Sequence, residues 1–227
     1  MLTVYHLQRS QSERIVWLCE ELGIPYELKI YARDPQTLLA PTEYKKLHPM
    51  GSAPVITDGS VTLAESCAIT EYILTKYGGS ALRLSPDVPN YASYLYWLHF
   101  ANGSLQPAVS RLMLLKYGGI TPENPFYGRL DAGRKASLKM MDEHLQKNKW
   151  LAGEEFTAAD VMCVFSLTTM RLFLPFGLEE YPGLVAWLGR CGDREGYKRA
   201  MAKGDPGFTP ALGVEAPESI VRGATRG

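Results

Sequence analysis

Glu65 and Ser66 carry the first hint of chemistry, because they stand where a pair of β-branched runs gives way to an apolar run with helical spacing, Ala68, Ile69, Tyr72 and Ile73. A hydroxyl and the free backbone N–H groups at a helix start together form a receptor for a carboxylate. The preceding runs, Pro54-Val55-Ile56-Thr57 and Ser60-Val61-Thr62-Leu63, flank Asp58-Gly59 and predict a hairpin with Asp58-Gly59 supplying its positive-φ turn. A second cluster of hydroxyls, Ser10 and Ser12, opens another apolar run together with Arg14. Ser10-Gln11-Ser12-Glu13 has capping-box spacing, in which a hydroxyl and a carboxylate satisfy each other's orphan backbone donors. Cap statistics alone would give all of these residues no task beyond starting helices. Cys19, Cys67, Cys163 and Cys191 form no CxxC pair and read as buried thiols; His6, His48, His99 and His144 lack ligand spacing, so no metal is expected.

The elements that must position these groups follow from periodicity. Residues 2–7 fit a strand, 10–22 a helix stopped by Gly23, 26–31 a second strand, 34–47 a stretch with a short helix, and 65–77 a helix after the hairpin. The first two strands are then parallel through a right-handed crossover, with the hairpin adding antiparallel strands. Gly78-Gly79-Ser80 and the prolines up to Pro89 break the pattern and mark a linker. From Asn90 onward the strand signal vanishes. Tyr94 through Leu115 recur at helical intervals with a bend expected at Pro107, and a second helix holds Leu130 to Leu145. Thr157 and Asp160 cap a run from Val161 to Leu167 that is apolar nearly all round and belongs at the centre of a helical domain. Short helices are expected near 184–190 and 193–202. The predicted organisation is residues 1–80, a linker over 81–90, an all-helical domain over 91–203, and a Gly/Pro-rich tail over 204–227 that rests against the body.

Composition narrows the function classes. Lys and Arg total 24, as do Asp and Glu, so the formal net charge is zero and nothing calls for a nucleic-acid partner. The N-terminus has no basic and apolar leader, and nowhere do 18 apolar residues run uninterrupted, so the expectation is a cytoplasmic protein with no membrane partner.

The ordered set of Ser10 to Arg14, Ala53-Pro54-Val55, Glu65-Ser66 and Phe156 to Asp160 resembles the cytosolic glutathione transferases across nearly the whole chain. The subgroup it looks most like is the serine-type transferases of bacteria and fungi, related to the theta and delta classes. The resemblance implies an α/β thioredoxin-like N-terminal domain that binds glutathione, an all-α C-terminal domain that shapes the acceptor pocket, and a homodimer. Carried over by position, it makes Ala53-Pro54 a cis peptide that exposes the Val55 backbone to the cysteinyl part of glutathione. It gives Glu65 and Ser66 the γ-glutamyl end. Ser52 falls where the family has a Lys or Gln on the glycyl carboxylate, with Lys45 or Lys46 as replacements.

The chemistry the resemblance implies is attack of the glutathione thiolate on a hydrophobic electrophile, with glutathione as co-substrate and no further cofactor. A free thiol has a pKa of about 8.5, and lowering it by about two units requires roughly 2.7 kcal/mol of preferential thiolate stabilisation. One charge-assisted hydrogen bond contributes about 1.5–3 kcal/mol, so a neutral hydroxyl suffices. By family position that hydroxyl is Ser10, with Ser12 as runner-up and Tyr5 as a third candidate; Arg14 is either a structural or glutathione-orienting charge near the site or a solvated helix residue. Tyr94, Trp97, Phe100 and Arg111 are candidates for the acceptor pocket, with ordinary packing the first account of the aromatics. Two other readings stand beside it: glutathione-dependent peroxide reduction by the same thiolate, and a non-enzymatic binding or assembly module.

Overall fold

The alternation at the N-terminus becomes strand β1 (Leu2–Leu7), buried on both faces. The computed structural model of the protein describes residues 1–221. Strand β2 (Glu27–Tyr31) runs parallel to β1, with Thr3 opposite Glu27 and Leu7 opposite Tyr31. Strand β3 (Val55–Asp58) pairs antiparallel with β1, and β4 (Val61–Ala64) antiparallel with β3, so the mixed sheet has the order β2-β1-β3-β4. Because Asp58 pairs with Val61, the two-residue turn is Gly59-Ser60. The positive φ falls on Gly59 alone of the expected pair, at +60°, the first loop position, where a II′-type hairpin places its glycine. Asp58 instead lies inside the strand.

Helix α1 (Glu13–Leu22) begins three residues later than the periodicity suggested and ends on Gly23 in the left-handed region. At the expected capping box the Ser10 hydroxyl accepts the Ser12 N–H at 3.2 Å, and Glu13 donates its N–H to the Ser10 carbonyl. Ile15, Val16, Trp17, Leu18 and Cys19 are fully buried, each apolar side chain contributing about 1.5–3 kcal/mol of transfer free energy. Helix α2 (Thr42–Lys45) is a single turn, and α3 (Ser66–Lys76) follows the hairpin. Contacts divide the chain into two units. The first contains residues Met1–Val88 together with Gly192–Pro210, so α9 (Glu195–Gly204) groups with the strands and not with the helical stretch to which the chain order assigned it. Two contacts explain this: Tyr197 meets the Trp17 ring edge-on at 4.8 Å, and Arg194 forks onto Glu21 at 2.8 and 2.7 Å.

The second unit is helical: α4 (Tyr91–Phe100), α5 (Gln106–Tyr117), α6 (Pro125–Leu145), α7 (Ala158–Leu167) and most of α8 (Pro182–Asp193). The expected bend lies just before Pro107, as a π-helical turn over Ala101–Leu105 joining α4 to α5. Proline offers no N–H to the Gly103 carbonyl four residues back, and the Gln106 N–H reaches Ala101, five residues back. Every residue of α7 is buried, and its Thr157–Asp160 capping box is present. Helix α6 starts five residues earlier than its apolar period indicated, because Asn124 caps it through the Phe126 N–H at 2.9 Å.

Residues beyond α9 are anchored in part. The fully buried Arg171 guanidinium donates to the carbonyls of Ala211 and Gly213 at 3.2 and 3.0 Å and also to Glu215, while the Leu178 N–H holds Val214. The end of the expected tail, 222–227, lies outside the described residues. No helix among the described residues is long and apolar enough to cross a membrane. Cys19, Cys163 and Cys191 are buried; Cys67 is a correction, since it is partly exposed on the first turn of α3.

Candidate functional site

Three segments of the first unit converge on one guanidinium. Arg14 is fully buried in the first turn of α1, and its Nη1 donates to the Gln11 side-chain oxygen at 3.1 Å and to the Ser66 hydroxyl at 3.4 Å. Gln11 in turn donates to the Ala53 carbonyl at 2.9 Å. The Ser10–Gln11 turn, the Ala53-Pro54 peptide and the start of α3 are thereby tied together. The solvated reading of Arg14 is excluded by its burial. Gln11 carries one of these links, and only its position between Ser10 and Ser12 marked it in the sequence.

The backbone at the site is unusual at two points. The Ala53-Pro54 peptide is cis. Glu65 sits at φ 70°, ψ 111°, a region that costs a residue with a Cβ about 1–3 kcal/mol and that the surroundings must hold in place. Its carboxylate is exposed, whereas Ser66 behind it is 2% exposed. Pro54 and Val55 are buried, and Ser52 is exposed. Gly51, the residue before Ser52, lies against the stem of Lys45, so that a Cβ there would stand 3.6 Å from the lysine Cβ.

The three hydroxyl candidates differ in their surroundings. Ser12 is wholly enclosed and bonds the Leu7 N–H at 3.1 Å, the Leu7 carbonyl at 3.2 Å and His6 Nδ1 at 2.9 Å, so it fastens β1 to α1. Ser10 retains 4% exposure and touches Ser12 Oγ at 2.8 Å. Tyr5 lies on the opposite face of β1, its OH 3.3 Å from Thr57 Oγ1 and its ring against Tyr31. An outside ligand can therefore reach Ser10 more readily than Ser12. The turn itself is clamped by Arg33, which donates to the carbonyls of Gln8, Arg9 and Leu38 at 2.9, 3.0 and 2.7 Å and holds Arg9 at φ 52°. Burial draws the Arg33 pKa down, and Arg9 adds to this.

Of the residues considered for an acceptor pocket, Tyr94, Trp97 and Phe100 are buried, Trp97 meeting Phe100 edge-on at 5.1 Å; Arg111 is exposed. Among the described residues no group of three or more His, Cys, Asp or Glu side chains could hold a metal ion.

A family model described as the glutathione S-transferase N-terminal domain matches residues 9–76, and one described as the glutathione S-transferase C-terminal domain matches 105–195. The chain belongs to the glutathione S-transferase family. It is 35% identical to glutathione S-transferase 3 of Schizosaccharomyces pombe over 216 residues, covering 89% of this chain and 88% of that protein. Glutathione S-transferase 1 of Manduca sexta is 32% identical, with 90% and 94% covered. Among solved structures, a glutathione S-transferase from Actinobacillus pleuropneumoniae superposes with a TM-score of 0.83 at 32% identity, covering 90% of this chain and 93% of that one. A sphingomonad glutathione S-transferase complexed with glutathione shares the fold, with a TM-score of 0.71 at 20% identity over 88% and 98% of the two chains. The protein is thus a glutathione S-transferase with a thioredoxin-like N-terminal domain and a helical C-terminal domain.

Proposed function

We propose that this transferase is of the serine type, related to the theta and delta classes, and conjugates the thiolate of glutathione to hydrophobic electrophiles. The observation that carries the reading is the Arg14 web, which ties the Ser10 turn, the cis Ala53-Pro54 peptide and Ser66 into one site. Ser10 donates to the thiolate, and Ser12 braces it from inside. The Val55 backbone pairs with the cysteinyl unit, while Glu65 and Ser66 receive the γ-glutamyl end, the Ser66 N–H and hydroxyl taking its carboxylate at the start of α3. Ser52 and Lys45 receive the glycyl carboxylate. The enzyme acts in the cytoplasm as a homodimer with glutathione as its co-substrate, and the helical unit supplies the acceptor pocket.

Ser10→Ala tests the assignment. If the hydroxyl lowers the thiol pKa from about 8.5 by about two units, its removal cuts the thiolate fraction at pH 7 by roughly 25-fold. The expected result is a matching fall in kcat with an activated aryl halide, a raised thiol pKa by thiolate absorbance, and glutathione affinity within a few-fold. Unchanged turnover with an unchanged thiol pKa rejects it. Failure of the wild-type protein to bind immobilised glutathione would favour a non-enzymatic module, and faster turnover of an organic hydroperoxide than of the aryl halide would favour peroxide reduction.

A further inference from the structure

Behind Ser10 lies a buried line of polar groups that thiolate stabilisation by one hydroxyl leaves unused. Ser10 Oγ is 2.8 Å from Ser12 Oγ, Ser12 Oγ is 2.9 Å from His6 Nδ1, and His6 Nε2 is 3.0 Å from Asp205 Oδ2. His6 is fully buried and Asp205 is 3% exposed. The other Asp205 oxygen accepts the Arg9 N–H at 2.8 Å, fixing the carboxylate against the same turn that carries Ser10. Gly204 permits this approach, since a Cβ there would stand 3.0 Å from His6 Nε2.

When the Ser12 hydrogen lies along this line and not on the Leu7 carbonyl, which is also within reach at 3.2 Å, the valences allow two polarities. An ionised carboxylate only accepts, so Nε2 carries hydrogen and the Nδ1 of a neutral ring accepts the Ser12 hydrogen. Ser12 Oγ, which already takes the Leu7 N–H, has one acceptor position left for the Ser10 hydrogen. Ser10 Oγ then accepts from the Ser12 N–H and keeps one lone pair for an incoming thiol. In the other polarity Nδ1–H donates to Ser12, Ser12 turns its hydrogen to Ser10, and the Ser10 hydrogen points outward. This second state offers the thiolate a hydrogen bond.

We propose that His6 is the acceptor of the glutathione thiol proton, reached through Ser10 and Ser12, with Asp205 holding the ring and balancing its charge. The inference rests on the proposed role of Ser10. The S–H bond breaks as its proton passes to Ser10 Oγ, the Ser10 proton passes to Ser12 Oγ, and the Ser12 proton passes to Nδ1. Thiol becomes thiolate, imidazole becomes imidazolium, and nothing is oxidised or reduced. Between free groups the transfer is uphill by about two pKa units, about a hundredfold. The Asp205 carboxylate on the imidazolium and the Ser10 hydrogen bond on the thiolate act against that deficit. Other charges near the relay are Arg33, which interacts with both Arg9 and Asp205, and Arg14, which turns to Gln11 and Ser66. His6 and Asp205 are positioning residues in this scheme, because they reach the thiol only through the two serines.

The test is the protonation state of His6 in the full chain, read by NMR of isotopically labelled histidine nitrogens. Its signal is identified against His48→Gln, His99→Gln and His144→Gln variants. Glutathione, at a pH where thiolate absorbance shows it ionised on the enzyme, should convert Nδ1 from an acceptor to a protonated nitrogen; S-methylglutathione, which has no thiol proton, should not. Asp205→Asn should move the acid limb of kcat/KM upward by at least one pH unit while the affinity for S-methylglutathione stays within threefold. An unchanged His6 ring beside an ionised thiol overturns the relay and leaves Ser10 standing. Absence of binding by both tripeptides overturns the proposed function and the relay together.

Discussion

Asp160 shows how much one buried residue can be asked to organise. Its carboxylate accepts the N–H groups of Leu151 and Thr157 at 3.0 Å each and Trp187 Nε1 at 2.9 Å, with the Thr157 hydroxyl at 3.4 Å. Burial pushes its pKa up to about 6 while these donors pull the other way, so it is charged at pH 7. Asp160→Asn turns an N–H₂ toward groups that are themselves donors, and a loss of about 2–4 kcal/mol is expected in urea unfolding at pH 7. A folded-state pKa above the ordinary 3.8 means that the group's contribution to stability is greatest below about pH 4, declines as pH rises to about 6, and is flat beyond. The Asn variant should lack that slope. The bond to Thr157 was legible from the spacing T-A-A-D, whereas Leu151 and Trp187 were not, because no local pattern announces a donor arriving from 9 or 27 residues away. Ser10 and Ser12 pose the same difficulty. They are alike in sequence and are ranked only by what encloses them.

At the scale of elements, the hairpin explains why its boundaries resisted a reading by composition. β-branched runs around a glycine identified two strands, yet the turn shifted by one residue because Asp58 is drawn into β3 by groups on and just after α3. Lys76, Tyr77 and Tyr72 all donate to its Oδ2. The Lys76 bond foremost, then those of Tyr77 and Tyr72, hold the Asp58 carboxyl down at about 2. This lock ties the strand that begins at Val55 to the C-terminal turn of the helix that begins at Ser66. Because the folded-state pKa is depressed, its stabilisation is present above about pH 4 and is lost as pH falls through about 2. Lys76 is half-exposed, so solvent screening limits the ion pair, and Asp58→Asn is expected to cost only about 1 kcal/mol at pH 7. The variant should also show a flatter dependence of the urea midpoint between pH 4 and pH 2. A wild-type slope retained in the variant would assign the acid sensitivity to other carboxylates.

Across the whole molecule, the least patterned part of the sequence turns out to serve both units. Residues 205–210 group with the strands and residues 211–221 with the helices. Gly and Pro content denied the tail a regular element, and residues 205–221 contain none, but it carried no sign of the partners, since His6 and Asp205 are 199 residues apart and Arg171 and Glu215 are 44. Burial lowers the Arg171 pKa to about 10, so the guanidinium is charged at pH 7 and depends on the tail carbonyls for much of its hydrogen bonding. Two truncations separate the tail's tasks. Ending the chain at Pro210 removes the Arg171 acceptors but keeps Asp205; unfolding should become easier by about 2–3 kcal/mol, while the pKa of the bound glutathione thiol stays unchanged. Ending it at Gly204 also removes the carboxylate behind His6, and thiolate absorbance should then require a pH at least one unit higher. Equal thiol ionisation in the two shortened proteins would show that Asp205 contributes only to holding the Arg9 turn, and that the serine pair works without a charge behind it.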